Sequence, residues 1–119
     1  MFRSTHLIGE LERAILAARG REIAGLLLES SDGEQRIRRA PNLLNDPGET
    51  ELPRWWLDRA LASGLTGELR PIAFFHSHTT SLDLSEADRA SMVGFPLPWI
   101  VLLLREGRLT WAVYSPASG

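Results

Sequence analysis

Cysteine is absent from this chain of 119 residues, and so is lysine, because arginine accounts for all thirteen basic side chains. Without cysteine the protein has no disulfide, no thiolate zinc site and no cysteine nucleophile. Without lysine it has neither Schiff-base chemistry nor the lysine of a phosphate-binding loop. Any catalysis must therefore use histidine, carboxylates, hydroxyl groups or a metal ion.

Long apolar runs are absent as well. The longest aliphatic run, residues 100–104, is far too short to cross a bilayer, which takes about 20 residues. The N-terminal stretch contains Glu10 and Glu12 and does not resemble a signal peptide. A composition of 44% hydrophobic and 24% charged residues is ordinary for a globular protein of one domain. We therefore expect a soluble cytoplasmic protein, with one domain over residues 1–119 and no contact with membranes.

The charge balance does not indicate a nucleic-acid partner. Thirteen basic and fifteen acidic side chains leave a net charge of −2, whereas nucleic-acid-binding domains usually present a basic surface. Arg36, Arg38 and Arg39 form one local basic cluster. We interpret this cluster as the solvated face of a strand, because charged side chains are mostly exposed.

Hydrophobic periodicity and turn residues divide the chain into helices and strands. Ser4 is suited to cap a helix and Gly20 to end it, while Asp32-Gly33 and Glu106-Gly107 predict two hairpins. The other predicted elements are strands over 23–28, 35–39, 72–75, 99–104 and 109–114, helices over 54–62 and 85–92, an irregular loop over 41–53 and a polar loop over 79–84. This order predicts a single layered α/β domain in which helices flank a mixed β-sheet.

Two of the three histidines, His76 and His78, lie two residues apart at the end of an apolar strand. Residues i and i+2 of a strand project from the same face, so both imidazoles can converge on one point. A catalytic zinc ion takes three protein ligands from His, Asp or Glu and leaves a fourth position for water. The two histidines are therefore either metal ligands or a hydrogen-bonded pair at a strand end.

Asp88 is the best candidate for a third ligand, because a helix that begins at Ser85 presents it one turn in. Asp83, Glu86 and His6 are the alternatives. The Ser-Glu-Ala-Asp sequence is also a capping-box pattern, in which the acid turns back to the first amide of the helix. Both interpretations of this segment stay open at the level of sequence.

Glu22 enters a strand that is otherwise wholly apolar. A carboxylate in that position needs water, a partner or a functional role. The simplest alternative to a functional role is a solvated strand end at which Glu22 pairs with Arg19 or Arg21.

A glutamate before a Gly-Leu-Leu strand, then His-Ser-His, then Ser-x-x-Asp, together resemble the JAMM motif of the JAB/MPN-plus zinc metallopeptidases. The resemblance is to the small stand-alone prokaryotic type, extends over most of the chain, and implies a JAB/MPN-like, cytidine-deaminase-like fold with a mixed, curved sheet. It implies that His76, His78 and Asp88 bind Zn²⁺. It also implies that Glu22 is the general acid/base and that Ser85 stabilises the oxyanion.

The sequence departs from the family pattern at three places. Six residues rather than seven separate His78 from Ser85. Thr79 stands where a proline is usual, and Glu29 stands where a glycine is usual.

The resemblance further implies a substrate class. Members of the family hydrolyse isopeptide or peptide bonds next to ubiquitin or ubiquitin-like proteins. We therefore expect a zinc metallopeptidase that cleaves the amide bond after the C-terminal Gly-Gly of a ubiquitin-like or sulfur-carrier protein, in maturation or in deconjugation. The alternatives are a metal-free or weakly active scaffold that binds a partner protein, and a metal-dependent amidase on another substrate such as peptidoglycan. Trp55 and Trp56 either help to hold a partner or pack in the core, as large aromatic residues of a helix usually do.

Overall fold

The computed structural model describes residues 2–40, 69–93 and 95–115, and these ranges contain two helices and five strands. Helix α1 spans Thr5–Ala17 and helix α2 spans Glu86–Met92. The strands, in chain order, are β1 (Ala24–Ser30), β2 (Gln35–Arg39), β3 (Leu69–His78), β4 (Trp99–Arg105) and β5 (Arg108–Tyr114). The loop predicted over 41–53 and the helix predicted over 54–62, with Trp55 and Trp56, lie outside the described residues.

The strands form one mixed sheet in the order β2-β1-β3-β4-β5. Strand β1 pairs antiparallel with β2 and with β3, and β4 pairs antiparallel with β5, whereas β3 and β4 are parallel. This sheet, with its two helices, confirms the predicted α/β class. The boundaries of the domain at residues 1–119 stay a prediction.

Helix α1 begins where the sequence predicts, because the Ser4 side chain accepts a hydrogen bond from the backbone N–H of Leu7. After its last turn the backbone enters the left-handed region at Arg19 and Gly20, with φ of 51° and 84°. That conformation ends a helix and is the one that glycine adopts most easily. The chain then turns back into β1.

Side-chain alternation along the strands creates one core cluster on each face of the sheet. The first, which we call the α1 face, includes Leu11 of α1, Phe75 of β3 and Ile100 of β4. The second, the α2 face, includes Phe74 of β3 and Met92 of α2. Because His76 and His78 follow Phe74 at intervals of two, both histidines lie on the α2 face.

Strand β3 is longer than the strand predicted over residues 72–75, and it contains both histidines. The cause is tertiary pairing on both sides. His76 lies opposite Ala24 of β1 and Val101 of β4, and His78 lies opposite Leu103 of β4. Hydrogen bonds from a neighbouring strand on each side thus extend the strand through a polar segment that the apolar pattern alone does not include.

Candidate metal site

His76 and His78 converge on the α2 face, as their spacing on a strand predicts. Their Nε2 atoms are 2.9 Å apart. Helix α2 adds Asp88, whose Oδ1 is 3.2 Å from His76 Nε2 and whose Oδ2 is 3.0 Å from His78 Nε2. The ligand atoms of the three residues all lie within 4.8 Å of one another. The structure therefore brings together the three residues predicted to bind a metal ion.

The capping box of α2 holds Asp88 in this position. The Ser85 side chain accepts the backbone N–H of Asp88 at 3.0 Å, and Asp88 Oδ2 accepts the backbone N–H of Ser85 at 3.1 Å. The two interpretations of the Ser-Glu-Ala-Asp sequence, a helix cap and a ligand, are thus compatible. The same carboxylate closes the cap and faces both histidines, even though the loop before it is one residue shorter than the family pattern.

Hydrogen bonds to backbone carbonyls organise that loop. The Tyr114 hydroxyl donates to the carbonyl of Leu82 at 2.8 Å, which joins the loop to β5. The carbonyl oxygen of Ser81 lies 3.2 Å from His78 Nδ1. Because a carbonyl accepts, Nδ1 of His78 is the donor, and in the neutral ring this leaves a lone pair on Nε2, as in a histidine that binds a metal through Nε2.

Whether a metal ion suits the site can be judged from the acceptor atoms that meet there, and Nε2 of the neutral His78 ring is one of them. Asp88 Oδ2, also an acceptor, lies 3.0 Å away. Two acceptors this close need a proton or a cation between them. A bound metal ion satisfies both atoms, and His76 Nε2 with them. Two imidazoles and one carboxylate are a donor set that suits a metal ion.

The protonation states also favour a cation. Burial lowers the pKa of His76 below its ordinary value of 6.5, although the nearby Asp88 carboxylate acts in the opposite direction. Partial burial alone would raise the pKa of Asp88, but the N–H of Ser85 and the neighbouring His76 outweigh it and lower the pKa below 3.8. A neutral imidazole and an ionised carboxylate are the forms that bind metal ions.

Aromatic side chains pack against His76. Its ring stacks on Phe74 at a centroid distance of 5.7 Å and meets Trp99 edge-on at 5.2 Å. Within the part of the chain that the structure describes, His76 Nδ1 is buried without a hydrogen-bond partner. Packing therefore holds this ring in the place of the hydrogen bond that usually orients a ligand histidine.

Neither of these two neighbours of His76 is among the residues predicted for the site. Phe74 carries a usable signal, because it shares the period-two position of the histidines in β3. Trp99 carries none, since it reaches the site through the parallel pairing of β3 with β4, where it lies opposite Phe74. A parallel pair of strands separated by a helix leaves no local trace in a sequence.

Glu22 lies two residues before the start of β1, is half-buried and makes a polar interaction. The pairing of β1 with β3 places Ala24 opposite His76. If the alternation of β1 continues two residues before its first residue, Glu22 shares the face of Ala24, which is the face that carries the histidines. The register is consistent with the role predicted for Glu22, and that role stays a prediction.

The remaining candidates are exposed. Ser85 is at the solvent-facing start of α2, next to the ligand group, and its predicted role stays a prediction. Asp83 and Glu86, the alternative carboxylates, are also exposed, and the group that could hold a metal ion contains Asp88 instead. His6 is exposed on α1, which packs against the opposite face of the sheet. His6 is therefore not a ligand of this site.

A mixed sheet with a His-His-Asp group between its central strand and a short helix defines a candidate metal-dependent domain. The chain belongs to the family described as prokaryotic homologs of the JAB domain, whose model matches residues 4–114. This match confirms the family resemblance of the motif. The family includes metalloisopeptidases and also inactive members, so membership alone does not assign an activity.

Two solved structures resemble the fold at low sequence identity. A solution structure of a protein from Desulfitobacterium hafniense has a TM-score of 0.70 and 19% identity, over 92% of this chain and 80% of the other. A crystal structure of a JAB1/MPN domain protein from Archaeoglobus fulgidus has a TM-score of 0.62 and 18% identity, over 93% of this chain and 85% of the other. No curated protein is significantly similar to the chain. Within residues 2–40, 69–93 and 95–115, no helix is long and apolar enough to span a membrane.

Proposed function

We propose that the protein is a cytoplasmic zinc-dependent peptidase or isopeptidase. Its substrate would be the amide bond after the C-terminal Gly-Gly of a ubiquitin-like or sulfur-carrier protein, cleaved in maturation or deconjugation. One observation carries the proposal: the Nε2 atoms of His76 and His78 lie 2.9 Å apart, and each lies within 3.2 Å of an oxygen of the Asp88 carboxylate. Membership of the JAB family supports a metal-dependent hydrolase at this site.

The three ligands would hold Zn²⁺ between β3 and α2. Zinc when bound supplies a Lewis acid that polarises a carbonyl and acidifies water. Asp88 contributes the negative charge of the ligand set, and its capping hydrogen bonds keep the carboxylate aimed at the histidines. Burial of His76 keeps water away from one side of the site and keeps that ring neutral.

Glu22 and Ser85 would carry the proton and the charge of the reaction. Glu22, at the entry of β1 on the same face, takes a proton from the attacking water and returns it to the departing amine. Ser85 accepts the Asp88 N–H through its oxygen, which leaves the hydroxyl hydrogen to be donated. That hydrogen would stabilise the negative oxygen of the tetrahedral intermediate.

A Gly-Gly tail suits the surroundings of these residues. Phe74, Phe95 and Trp99 form an aromatic cluster against His76. These aromatic residues pack with Met92 of α2, and a tail of two residues without side chains needs less space beside such a packed cluster than a branched peptide does. Extended peptides are commonly held by strand addition at a sheet edge, and in the described residues β2 and β5 are the edges.

The test is hydrolysis of defined fusions by zinc-loaded protein. Ubiquitin-like and sulfur-carrier proteins fused through their Gly-Gly tail to a reporter are incubated with the protein, and mass spectrometry locates the cut. We expect cleavage after the second glycine. The same fusions with Ala-Ala in place of Gly-Gly are the matched control and should stay intact.

Two variants separate the enzyme from a scaffold. We expect Glu22→Gln to bind zinc as the wild type does and to lose cleavage, and His78→Ala to lose both. About one zinc per chain after purification without chelator would agree with the enzyme. Absence of zinc, together with capture of an intact partner, would instead favour a binding module, and cleavage of peptidoglycan fragments alone would reassign the substrate.

A further inference from the structure

Ser77 lies between the two histidines and is almost fully buried, with 1% of its surface exposed. By alternation its side chain belongs to the α1 face, whose other members are apolar. A hydroxyl in such surroundings is costly unless it is hydrogen-bonded. Ser77 Oγ accepts the backbone N–H of Ile23 at 2.8 Å, a residue 54 positions earlier in the chain.

This hydrogen bond determines where the backbone pairing between β1 and β3 ends. Opposite residues of a hydrogen-bonded antiparallel pair normally exchange two backbone hydrogen bonds. The Ser77 N–H donates to the Ile23 carbonyl at 2.9 Å, which is one of the two. The second goes from the Ile23 N–H to the Ser77 side chain rather than to its carbonyl. The regular strand pairing accordingly stops one residue earlier, at Ala24 opposite His76.

The residue that follows outward from this junction is Glu22. Continuing the register past Ile23 and Ser77 would bring Glu22 opposite His78, on the face of the metal ligands. Two hydrogen bonds fix the backbone of Ile23, so the peptide that carries Glu22 leaves the sheet in one direction from a fixed point. We propose that Ser77 is a positioning residue that holds Glu22 beside the metal site. This inference rests on the function proposed above for Glu22.

This role requires a side chain at residue 77 that accepts a hydrogen bond. Alanine at this position has no acceptor for the Ile23 N–H and leaves that donor buried and unpaired. Cysteine is nearly isosteric, but its sulfur accepts weakly. Threonine keeps the hydroxyl and adds one methyl group. The proposal therefore orders the variants by hydrogen-bond acceptance, with Ser77→Thr nearest the wild type and Ser77→Ala furthest from it.

Amide hydrogen exchange of Ile23, measured by NMR, tests the hydrogen bond itself. We expect Ser77→Ala and Ser77→Cys to accelerate exchange of this amide by roughly fivefold to tenfold relative to other amides of β1. Ile100→Val, which deletes one methylene from the same face of the sheet, is the matched control and should leave this ratio unchanged. Unchanged Ile23 protection in both serine variants would overturn the proposal. If Ser77→Ala does not fold, the comparison of Ser77→Cys with Ser77→Thr decides.

The position of Glu22 is measured without any substrate. Zinc added to the wild-type protein should shift the ¹³C resonance of the Glu22 carboxylate, because the carboxylate lies beside the ion. We expect this shift to fall by half or more in Ser77→Ala, to recover in Ser77→Thr and to persist in Ile100→Val. Zinc affinity should change less than threefold in all of them, since Ser77 contacts no ligand atom through its side chain. A full Glu22 shift in Ser77→Ala would refute the positioning role.

Turnover provides the third measurement. We expect kcat of Ser77→Ala to fall about tenfold with little change in KM, and kcat of Ser77→Thr to stay near the wild-type value, because threonine keeps the hydroxyl that accepts the Ile23 N–H. A wild-type protein that cuts no fusion, but whose Glu22 resonance responds to zinc and to Ser77→Ala, would overturn the proposed substrate and leave the role of Ser77 standing. A wild-type Glu22 resonance that zinc does not move would overturn the role of Glu22 and the positioning role together.

Discussion

At the scale of single residues, Asp88 shows how one carboxylate serves structure and chemistry together. Its Oδ2 accepts the N–H of Ser85 and lies 3.0 Å from His78 Nε2. Sequence patterns present a capping acid and a metal ligand as alternatives, because each is recognised by a different local rule. In the folded protein the capping hydrogen bonds orient the Asp88 carboxylate toward the histidines, so one conformation of this side chain serves both roles.

Asp88→Asn separates these roles. The amide oxygen still accepts the N–H of Ser85, so we expect the helix cap and the stability of the metal-free protein to change little. The lost negative charge should weaken zinc binding by at least about 100-fold. Even the mutation of a residue that only hydrogen-bonds to a metal ligand lowers metal affinity about 10- to 100-fold. Calorimetric titration with zinc and urea unfolding measure the two effects. Glu86→Gln, an exposed acid of the same helix, is the control, and equal losses in both variants would contradict the assignment.

Ser85→Ala is predicted to act on the helix and on catalysis but not on the ion. Loss of the N-cap hydroxyl should cost about 1 kcal/mol in the free energy of unfolding. Under the proposed function it should also lower kcat about 100-fold by removing a donor to the oxyanion. Zinc affinity should stay within a factor of a few. A change confined to KM in steady-state kinetics would argue against an oxyanion role.

The pKa of His76 predicts how the stability of the metal-free protein depends on pH. Burial lowers this pKa in the folded protein below 6.5, so between the two pKa values the unfolded chain binds more protons than the folded one. Stability is therefore complete above about pH 6.5 and falls as the pH decreases through the folded pKa. The lowered pKa of Asp88 acts in the same direction, below its ordinary 3.8.

Urea unfolding in the presence of EDTA at pH 7.5, 6.5 and 5.5 measures this dependence. His76→Phe, which places an aromatic ring beside Phe74 and Trp99, should flatten the profile between pH 7.5 and 5.5. His6→Gln, at an exposed position of α1, should keep the wild-type slope. A profile that is flat in the wild type would show that His76 does not stay neutral in the folded state.

At the scale of elements, the bounds of the strands depend both on local sequence signals and on pairing with distant strands. Sequence rules located β1, β2, β4 and β5 within about two residues, because hydrophobic runs and Gly-containing turns are local signals. They shortened β3, because the pairing of His76 with Ala24 and Val101 is contributed by distant strands. The hydrogen bond from Ile23 to Ser77 was missed for the same reason, since it joins residues 54 positions apart.

Gly25 is a residue of β1 whose small size allows its neighbours to pack closely against the strand. A Cβ atom at this position would lie 2.3 Å from the carbonyl oxygen of Arg38 and 2.7 Å from the ring of Phe75. Both are shorter than a van der Waals contact, and the first partner is backbone of the neighbouring strand. Glycine at residue 25 therefore lets β2 and the Phe75 ring approach β1 closely.

We expect Gly25→Ala to destabilise the fold by about 1–3 kcal/mol or more, because the clash displaces β2 or Phe75. Gly9→Ala is the contrasting control. Its Cβ would meet only the flexible end of the Arg13 side chain, at 3.3 Å in the middle of α1, and alanine there should stabilise by about 0.5–1 kcal/mol. Thermal unfolding of both variants gives the comparison, and equal melting temperatures would refute the steric argument.

At the scale of the whole molecule, the candidate metal site joins parts of the chain that the sheet does not join directly. Two ligands lie on the central strand β3, and the third lies on α2, which covers the α2 face through Met92. Sequence analysis could find the ligands, because the His-Ser-His and Ser-x-x-Asp motifs are local and ordered. Trp99 beside His76 could not be found from the sequence, because β3 and β4 become neighbours only through the parallel pairing of the folded chain.

A bound ion would therefore act as a cross-link between the sheet and α2, and its effect should extend to global stability. A ligand that binds only the folded state at 100 times its Kd adds about 2.7 kcal/mol to the free energy of unfolding. For a domain of this size we expect zinc at that excess to raise Tm by about 10 °C. Asp88→Asn should abolish the rise, EDTA should reverse it, and Glu86→Gln should retain it. A Tm that zinc raises equally in Asp88→Asn would mean that the ion binds elsewhere and that its stabilising effect does not come from the His-His-Asp group.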